Sequence, residues 1–435
     1  MLYRFSVENY KSFRDRNEIS FIPVSENDDR KVLQTSVIYG ANASGKSNFI
    51  KAIDFAQDFI LDNSCLVEVD NLAYKLEKEY IQKPSVFSFE ILVDEVLYQY
   101  GFAVSFKDSM ILEEWLFSIA KGEENEFFSR TYDEDNDIYE IDLRYESGIE
   151  NAERYQIYSN DLQKNKVALI LTELAKKPIG QDSLKKAIDT VFDWFRKLVV
   201  IFPTSKYNLL GAVAKDQETA NELYKSYFKI FNIDIEDIHL KEIDKSYLSI
   251  PDDVIKAIKA DLIKNKQEIK EEAMAMLHGI KQDYLVKLDD NGELCFLEVR
   301  FTHRHNNYAV EMDKEEESDG TQRLFDLIPM LGNVLKEDRT IIIDEIDRSL
   351  HTLIVRKFFE LFVRNVGDRK SQLICTTHDV LLLDTALLDK SEIWIIQKKA
   401  GRSSVFCMDK FKFPNNHSNL MENYLLGRMG GVPLL

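Results

Sequence analysis

Hydrophobic and polar positions alternate along the first part of the chain in the manner typical of strands. Residues 1–22 predict two short strands joined by a turn at Lys11-Ser12-Phe13. Residues 33–39 predict another strand, and a helix should follow it as far as about Asn63. Segments dense in aromatic and β-branched residues then predict strands at 86–93, 97–106, 110–118, 127–132 and 138–143. The first 150 residues therefore predict a lobe built on a mixed sheet.

The pattern changes to a helical period between about 151 and 280. Apolar residues between Val167 and Ala175 recur at helical spacing, as do those between Ala187 and Phe195. Two further helices are predicted around Gln217–Phe231 and Asp252–Leu277. No heptad repeat is sustained, so we expect a helical insertion and not a coiled-coil rod.

Strand character returns near residue 283, and helices and strands then alternate. The pattern predicts strand structure at 283–312, helices at 321–336 and 350–366, and strands at 340–344, 371–376, 392–397 and 404–408. Such alternation predicts a largely parallel sheet flanked by helices. The expected fold class is α/β, with an N-terminal lobe at 1–150, a helical insertion at 151–280 and a C-terminal lobe at 281–435.

Composition supports a folded cytoplasmic protein. Of 435 residues, 45% are hydrophobic and 30% are charged, which excludes a disordered chain. The first residues enter a strand pattern directly, so we expect no cleavable signal, and no apolar run reaches the roughly 18 residues of a membrane span. The cysteines are widely spaced, as reduced core thiols would be, and show no metal-ligand grouping. They are Cys65, Cys295, Cys375 and Cys407.

Net charge bears on the question of nucleic-acid binding. At −19, the chain is too acidic to coat nucleic acid over its whole surface. A local basic groove remains an alternative to a solvated helix face for one group of lysines. These are Lys164, Lys166, Lys176, Lys177, Lys185 and Lys186.

The segment Gly40-Ala41-Asn42-Ala43-Ser44-Gly45-Lys46-Ser47 fits the phosphate-loop pattern G-x-x-x-x-G-K-[ST]. A strand is predicted before it and a helix after it. Successive backbone N–H groups in such a loop surround a triphosphate, and the helix N-terminus adds to the attraction. Lys46 should reach the β- and γ-phosphates, and Ser47 should ligate Mg²⁺.

Two carboxylates follow the apolar strand Thr340–Ile343. A parallel strand delivers its last residues to the edge of the sheet where ligands bind. Asp344 would bind Mg²⁺, and Glu345 would orient or deprotonate the attacking water. The alternative is a strand that ends in a solvated acidic turn.

Two further polar positions have functional and ordinary interpretations. Ser318-Asp319-Gly320-Thr321-Gln322 precedes a predicted helix and offers a hydroxyl and free N–H groups to an anion, although a plain helix cap would use the same residues. His378 ends the strand at 371–376, where it could contact a ligand or only pack.

In this order the motifs resemble the ABC-type ATPases of the SMC, RecF and OLD group. The resemblance implies that ATP and Mg²⁺ bind between two heads. It implies that Lys46, Glu345 and His378 are catalytic and that Ser47 and Asp344 hold the metal.

The chain has SDGTQ where transporters carry LSGGQ. The implied nucleotide-binding residues are Gly40, Asn42, Ser44, Gly45, Lys46, Ser47 and Asn48, with His351 at the dimer seam and Ser318, Gly320 and Gln322 acting in trans. The glutamine that links the γ-phosphate to the inserted lobe has two candidates, Gln82 and Gln99, between which the sequence does not decide.

A closer resemblance is to bacterial phage-defence ATPases of the abortive-infection AbiL and RloA type, related to Septu and PARIS subunits. It is carried by Glu113–Phe117 with Phe128–Arg130, by SDGTQRLF at 318–325 and by the tail at 423–433. This resemblance implies a homodimer or larger homo-oligomer of ATP-bridged heads. It also implies a sensor or regulatory role over a nuclease or toxin encoded nearby. The alternatives are a RecF-like DNA-repair ATPase and a free-standing NTPase module.

Overall fold

The computed structural model describes the chain except for residues 25–29, 121, 147–151, 204–216, 245–247, 249, 270–273, 279–282, 290, 334–336, 368, 412–419 and 433–435. The chain forms two compact units. Unit 1 comprises Met1–Pro203, Glu337–Asp347 and Phe362–Leu435, and unit 2 comprises Thr204–Lys336 and Arg348–Leu361.

The strands and helices have the following bounds. The strands are β1 (Leu2–Glu8), β2 (Asn17–Ser20), β3 (Thr35–Tyr39), β4 (Ser85–Val93), β5 (Val96–Ser105), β6 (Met110–Ala120), β7 (Glu123–Asp133), β8 (Ile138–Leu143), β9 (Val199–Ile201), β10 (Asp237–Ile243), β11 (Met274–His278), β12 (Asp283–Leu288), β13 (Leu294–His305), β14 (Tyr308–Asp313), β15 (Thr340–Ile343), β16 (Gln372–Thr376), β17 (Ile393–Lys399) and β18 (Arg402–Cys407). The helices are α1 (Lys46–Leu61), α2 (Cys65–Glu68), α3 (Ala152–Leu162), α4 (Ile170–Lys176), α5 (Ser183–Lys197), α6 (Gln217–Ile230), α7 (Asp252–Ile269), α8 (Asp319–Asn333), α9 (Thr352–Val366) and α10 (Leu420–Leu425).

Unit 1 contains a seven-stranded sheet in the order β2-β1-β4-β5-β6-β7-β8. Every pair in it is antiparallel, whereas we expected a mixed sheet. Short turns account for the antiparallel pairs from β4 to β8, because strands joined by a few residues can pair only in the antiparallel sense. The β1–β4 pair is antiparallel too, although β2, β3 and α1 lie between these strands in the chain. At the turn between β4 and β5, Asp94 and Glu95 both adopt positive φ.

The second sheet of unit 1 has six strands in the order β18-β17-β3-β16-β15-β9. All neighbours in it are parallel except β17 and β18, which confirms the predicted largely parallel sheet. Strands β3, β15 and β16 are buried at every position, as continuous apolar runs in a parallel sheet require. Parallel pairing brings the ends of these three strands to one edge.

Helix α1 packs its apolar face on the seven-stranded sheet. The Phe49 ring lies 5.2 Å from that of Phe5, and the Phe55 ring lies 5.3 Å from that of Phe87. Burial of one such ring stabilises the fold by about 1.5–3 kcal/mol. Strand β3 belongs to one sheet and α1 packs on the other, so the segment between them is held from both sides.

A buried pair of opposite charges joins the seven-stranded sheet to α4. Glu114 and Arg130 are opposite each other on β6 and β7, and each is 1% exposed. Glu114 accepts the N–H groups of Ile170 (2.7 Å) and Leu171 (3.0 Å), the first residues of α4. Arg130 donates to the Ala168 carbonyl. Both residues come from the segments that carry the closer family resemblance, and their contacts give those segments a structural role.

Unit 2 contains a five-stranded antiparallel sheet, β10-β13-β12-β11 with β14 paired to β13. Its helices include α6 and α8, which pack through the stacked rings of Tyr224 and Phe325 at 4.7 Å. None of the helices in the described parts of the chain combines the length and hydrophobicity needed to cross a bilayer.

The unit boundaries differ from the predicted domains. Residues 152–203 belong to unit 1, although they were expected in the insertion, and residues 283–336 belong to unit 2 and not to the C-terminal lobe. The insertion is also not purely helical, since β9, β10 and β11 lie within 151–280. Met274–His278, predicted as the end of a helix, is strand β11 because pairing with β12 overrides the helix-forming tendency of Met, Ala and Leu.

Candidate nucleotide-binding site

The predicted phosphate loop connects β3 to α1 in unit 1. A Cβ atom on Gly40 would lie 2.4 Å from the Ile396 carbonyl oxygen, so only glycine fits there. Gly45 has φ 115°, and a Cβ atom on it would lie 2.5 Å from Ser403 Oγ. Both glycines of the motif are therefore required by close backbone approach.

Hydroxyl groups from distant segments support the loop from behind. Ser403 Oγ lies 2.6 Å from the Ser44 carbonyl oxygen and 2.8 Å from Ser12 Oγ. The Asn48 side chain, expected at the nucleotide, donates to Ser12 Oγ at 2.9 Å. Asn48 therefore braces the loop through Ser12.

Lys46 is buried and lies under the loop. Its ammonium group donates to the carbonyl oxygens of Gly40 (2.8 Å) and Ala41 (3.3 Å). Burial lowers the pKa of Lys46, and the nearby carboxylates Asp344, Glu345 and Asp347 oppose this effect.

The remaining loop residues differ in exposure. Asn42 is exposed, Ser47 is half-buried, and Ser44 is 3% exposed. The buried Ser44 hydroxyl has no hydrogen-bond partner within the described part of the chain. A donor left unsatisfied inside a ring of backbone N–H groups suits an anionic ligand.

The two acidic residues after β15 are held by one threonine of β16. Thr376 Oγ1 donates to Asp344 Oδ1 at 2.6 Å and accepts the Glu345 N–H at 2.8 Å. Asp344 is 2% exposed. Glu345 has φ 49°, an uncommon backbone conformation for a non-glycine residue.

The residues after β16 are tied to the same edge. Asp347 accepts the Thr377 hydroxyl at 2.8 Å, and its two oxygens lie 3.3 and 3.2 Å from the His378 backbone N–H. Burial, and then the charge of Lys46, lowers the pKa of His378, while Asp347, Glu345 and Asp344 oppose the shift. The imidazole is therefore biased towards its neutral form.

Four predicted residues thus meet at the carboxyl edge of the six-stranded sheet. Lys46 and His378 are far from Asp344 and Glu345 in the sequence, yet each interacts electrostatically with both carboxylates and with the other. No group of three or more potential metal ligands from protein side chains occurs among the described residues. Mg²⁺ usually takes only one or two carboxylates beside phosphate oxygens and water, so Asp344 with Ser47 meets its requirements.

The signature residues belong to unit 2. Ser318 is exposed and caps α8, with its Oγ 2.9 Å from Thr321 Oγ1 and accepting the Thr321 N–H at 3.2 Å. The Gln322 amide donates to the Glu317 carbonyl at 2.9 Å. The helix-cap contacts of Ser318 are thus present, and its role towards a nucleotide stays a prediction.

Two other contacts fix the surroundings of the signature. A Cβ atom on Gly320 would lie 2.9 Å from the Ser349 carbonyl oxygen, so this position also needs glycine. His303 of β13 pairs with the Glu317 carboxylate immediately before Ser318. His351 is exposed, and its Nδ1 accepts the Leu353 N–H at the start of α9.

A family comparison identifies the class of protein. The family described as "AAA domain, putative AbiEii toxin, Type IV TA system" (AAA_21) matches residues 36–384, well over half of the chain. The chain belongs to the AAA_21 family. It is an ATPase head of the ABC type, which agrees with the convergence of Lys46, Asp344 and Glu345.

Solved structures similar to this AAA_21 protein include three SMC heads. One is the SMC head bound to the C-terminal winged-helix domain of ScpA, with 16% identity, coverage of 93% of this chain and 96% of that chain, and a TM-score of 0.45. The SMC head domain from Thermotoga maritima has 12% identity, coverage of 93% and 98%, and a TM-score of 0.40. The SMC head with an extended coiled coil, bound to the C-terminal domain of ScpA derived from Pyrococcus furiosus, has 16% identity, coverage of 94% and 97%, and a TM-score of 0.38. No curated protein matches the chain with significance.

Several residues at the site of this AAA_21 ATPase were not predicted. Thr376 and Asp347 lie within motifs that the sequence singled out, and their spacing from Asp344 and His378 could have suggested a role. Ser403 gave no such signal, and Tyr424 belongs to the tail that carries the closer resemblance, but the places of both beside the loop depend on contacts across more than 350 residues.

Two other surfaces of the AAA_21 protein lie apart from the site. A cavity of about 320 Å³ lies at the amino edge of the six-stranded sheet, beside Trp194, Lys197 and Thr340. Three of the lysines considered for a basic groove form ion pairs, and one of them, Lys185, is buried, so their charges weigh against a basic groove. The pairs are Lys166 with Asp137, Lys177 with Glu173 and Lys185 with Asp189.

Proposed function

We propose that two copies of this ATPase close around Mg²⁺-ATP and that this closure controls a separate effector of a bacterial anti-phage system. The observation that carries the proposal is the convergence of Lys46, Asp344, Glu345 and His378 at one sheet edge. These residues provide phosphate binding and water activation. Ser318 lies in unit 2, where its side chain is exposed. The resemblance implies that its hydroxyl contacts the γ-phosphate bound by a second copy.

Phosphate binding would use the loop backbone and Lys46. The N–H groups between Gly40 and Lys46 surround the phosphates, and the Ser44 hydroxyl adds a donor. The Lys46 ammonium would exchange the Gly40 and Ala41 carbonyls for β- and γ-phosphate oxygens. That exchange replaces neutral acceptors with charged ones, which make stronger hydrogen bonds.

Water activation would depend on Glu345. Its backbone is held by the Thr376 hydroxyl, so its carboxylate position is set by β16 and not by a free turn. From there the carboxylate orients the attacking water in line with the γ-phosphate. The His378 imidazole, with its pKa lowered, would donate one neutral hydrogen bond to the γ-phosphate.

Asp344 and Ser47 would hold Mg²⁺. Thr376 occupies Asp344 Oδ1, which leaves Oδ2 to face the metal directly or through water. Mg²⁺ held there would supply positive charge against the negative charge that develops on the phosphate oxygens.

The second copy would complete the site through α8. The exposed start of this 15-residue helix presents the backbone N–H groups of Asp319 and Gly320 and the Ser318 hydroxyl, which suit a γ-phosphate. A symmetric dimer would then contain two composite sites.

Mixing two inactive variants tests this arrangement. Lys46→Ala loses phosphate binding by its own loop, and Ser318→Ala loses the hydroxyl that would reach the γ-phosphate on the partner copy. Each variant should be inactive alone. Because half of the random dimers are mixed and each contains one intact site, the mixture should recover about a quarter of the parent turnover. Recovery to that level supports the composite site, and no recovery would contradict it. An active Ser318→Ala protein would assign Ser318 to helix capping only.

Support for the defence role comes from the family description, which names an AbiEii-type toxin and a type IV toxin–antitoxin system. Co-expression with the neighbouring genes and challenge with phage tests this role. We expect protection that Lys46→Ala abolishes. Protection that is indifferent to Lys46, or steeply salt-dependent binding of duplex DNA by the purified protein, would favour the RecF-like alternative.

A further inference from the structure

The C-terminal segment Leu420–Val432, called the tail below, lies against the phosphate loop. Its helix α10 carries Tyr424, which is 6% exposed. The Tyr424 hydroxyl donates to the Gly431 carbonyl at 2.9 Å. Burial raises the pKa of Tyr424 to about 12, and an interaction with the backbone N–H of Gly40 opposes this rise. The hydroxyl therefore holds Gly431, near the end of the tail, against helix α10.

Backbone packing also places the tail beside the loop. A Cβ atom on Gly431 would lie 3.5 Å from Gly40 Cα and 2.7 Å from Ile395 Cγ2. Gly431 also has φ 73°, a conformation that favours glycine. Gly431 therefore packs directly beside Gly40, and the close approach of the Ile395 side chain leaves no room for a Cβ atom at this position.

A pair of aromatic rings extends this contact towards His378. The Tyr424 ring lies 5.4 Å from the ring of Tyr39, the last residue of β3. The Tyr39 hydroxyl donates to the Asp379 carbonyl at 2.9 Å. The tail, the start of the phosphate loop and the segment after His378 are therefore linked through two tyrosines.

We infer that the tail is a working part of the nucleotide site, in which Tyr424 is a positioning residue that fixes Gly40 for phosphate binding. The inference rests on the proposed function of the loop. Phosphate affinity depends on the directions of successive loop N–H groups, and Gly40, the first loop residue, packs against Gly431 of the tail. Glu345 and Asp344 are held by β16 and not by the tail, so the chemical step does not depend on Tyr424.

Tyr424→Phe tests the inference because it removes the hydroxyl and keeps the ring packed on Tyr39. We expect KM for ATP, and Kd for Mg²⁺-ATP measured by calorimetry, to rise roughly tenfold, as loss of one buried hydrogen bond allows. The kcat should stay within about twofold of the parent. Gly431→Ala, whose Cβ atom would lie only 2.7 Å from Ile395 Cγ2 and so displaces the tail beside Gly40, should change KM in the same direction.

Tyr139→Phe is the matched control. Tyr139 is buried in the same unit, and its hydroxyl donates to the Ile111 carbonyl at 2.7 Å, in the seven-stranded sheet and not at the loop. We expect it to lower Tm by a similar amount and leave KM unchanged. Parent-like KM in Tyr424→Phe, or an equal rise in both variants, would overturn the inference. A parent protein that binds no Mg²⁺-ATP would instead overturn the proposed function together with it.

Discussion

The hydroxyl of Thr376 donates a 2.6 Å hydrogen bond to Oδ1 of Asp344. The Thr376 hydroxyl oxygen also accepts the N–H of Glu345 at 2.8 Å, so one side chain on β16 fixes both acidic residues that follow β15. Parallel pairing places Cys375 opposite Ile343, which brings the next residue, Thr376, beside the acidic pair. The position of the carboxylates is therefore a property of two strands.

Thr376→Val should impair the chemical step more than nucleotide binding. Loss of a residue that orients a metal ligand typically costs about 10–100-fold in activity, and we expect kcat to fall within that range. Thr376→Ser should restore most of the rate. Thr172→Val, which removes another buried hydroxyl bonded to a carbonyl (Ile60, 2.6 Å), is the control and should keep parent kcat. Steady-state ATPase assays distinguish these outcomes, and equal losses in both valine variants would indicate general destabilisation.

Lys46→Ala should remove detectable ATP binding, because Lys46 is the ammonium group under the phosphate loop. Lys51→Ala is the matched control, since Lys51 lies on the same helix with an exposed side chain. The rise in Tm on addition of Mg²⁺-ATP reports binding in each variant, because a ligand that binds only the folded state raises Tm. A ligand-induced shift retained in Lys46→Ala would contradict the assignment of the loop.

Arg130→Met should destabilise unit 1. It leaves the Glu114 carboxylate buried without its opposite charge, and removal of one partner from a buried pair costs about 3–5 kcal/mol. Arg144→Met is the control: Arg144 is exposed and pairs with Glu126 and Asp142, so its loss should cost at most about 1 kcal/mol. Urea unfolding measures the loss in the free energy of unfolding for each variant. Equal, small losses would show that the Glu114–Arg130 pair does not stabilise the junction with α4.

Asp54→Asn should stabilise the protein at neutral pH. Burial, and then the charge of Asp58, raises the pKa of Asp54 from 3.8 to about 6. The folded state therefore binds this proton more tightly, and the parent loses stability as pH rises from about 4 to 6. Above pH 6 the variant should gain at most about 3 kcal/mol, and the gain should vanish near pH 4. Denaturant titrations across this pH range measure how the free energy of unfolding depends on pH. A gain that does not depend on pH would show that the raised pKa of Asp54 is not its cause.

The sequence predicted the elements of the parallel sheet well, because each is a long run of one period beside a recognisable motif. Thr340–Ile343 and Gln372–Thr376 are apolar strands that end in polar residues, and both were placed to within two residues. Strand β9 escaped prediction because three apolar residues carry no period, and β11 because its residues favour helices locally. Both segments are strands because they pair with other strands of their sheets.

The candidate site was predictable where spacing alone specifies chemistry, as for Lys46 and Asp344. The supporting contacts were not. Ser403 reaches the loop from β18, and Tyr424 from the tail, through contacts that no local pattern encodes. Nor did the sequence suggest that the Asn48 amide would donate to Ser12 and brace the loop.

The most direct test of the account is the mass of Glu345→Gln in solution with and without Mg²⁺-ATP. This variant should bind ATP without hydrolysing it, so light scattering after size-exclusion chromatography should show the mass of two chains only when Mg²⁺-ATP is present. Adding Ser318→Ala to it should abolish the ATP-dependent dimer. A mass that does not respond to Mg²⁺-ATP, together with turnover equal to the parent, would contradict the central claim that two copies close around the nucleotide.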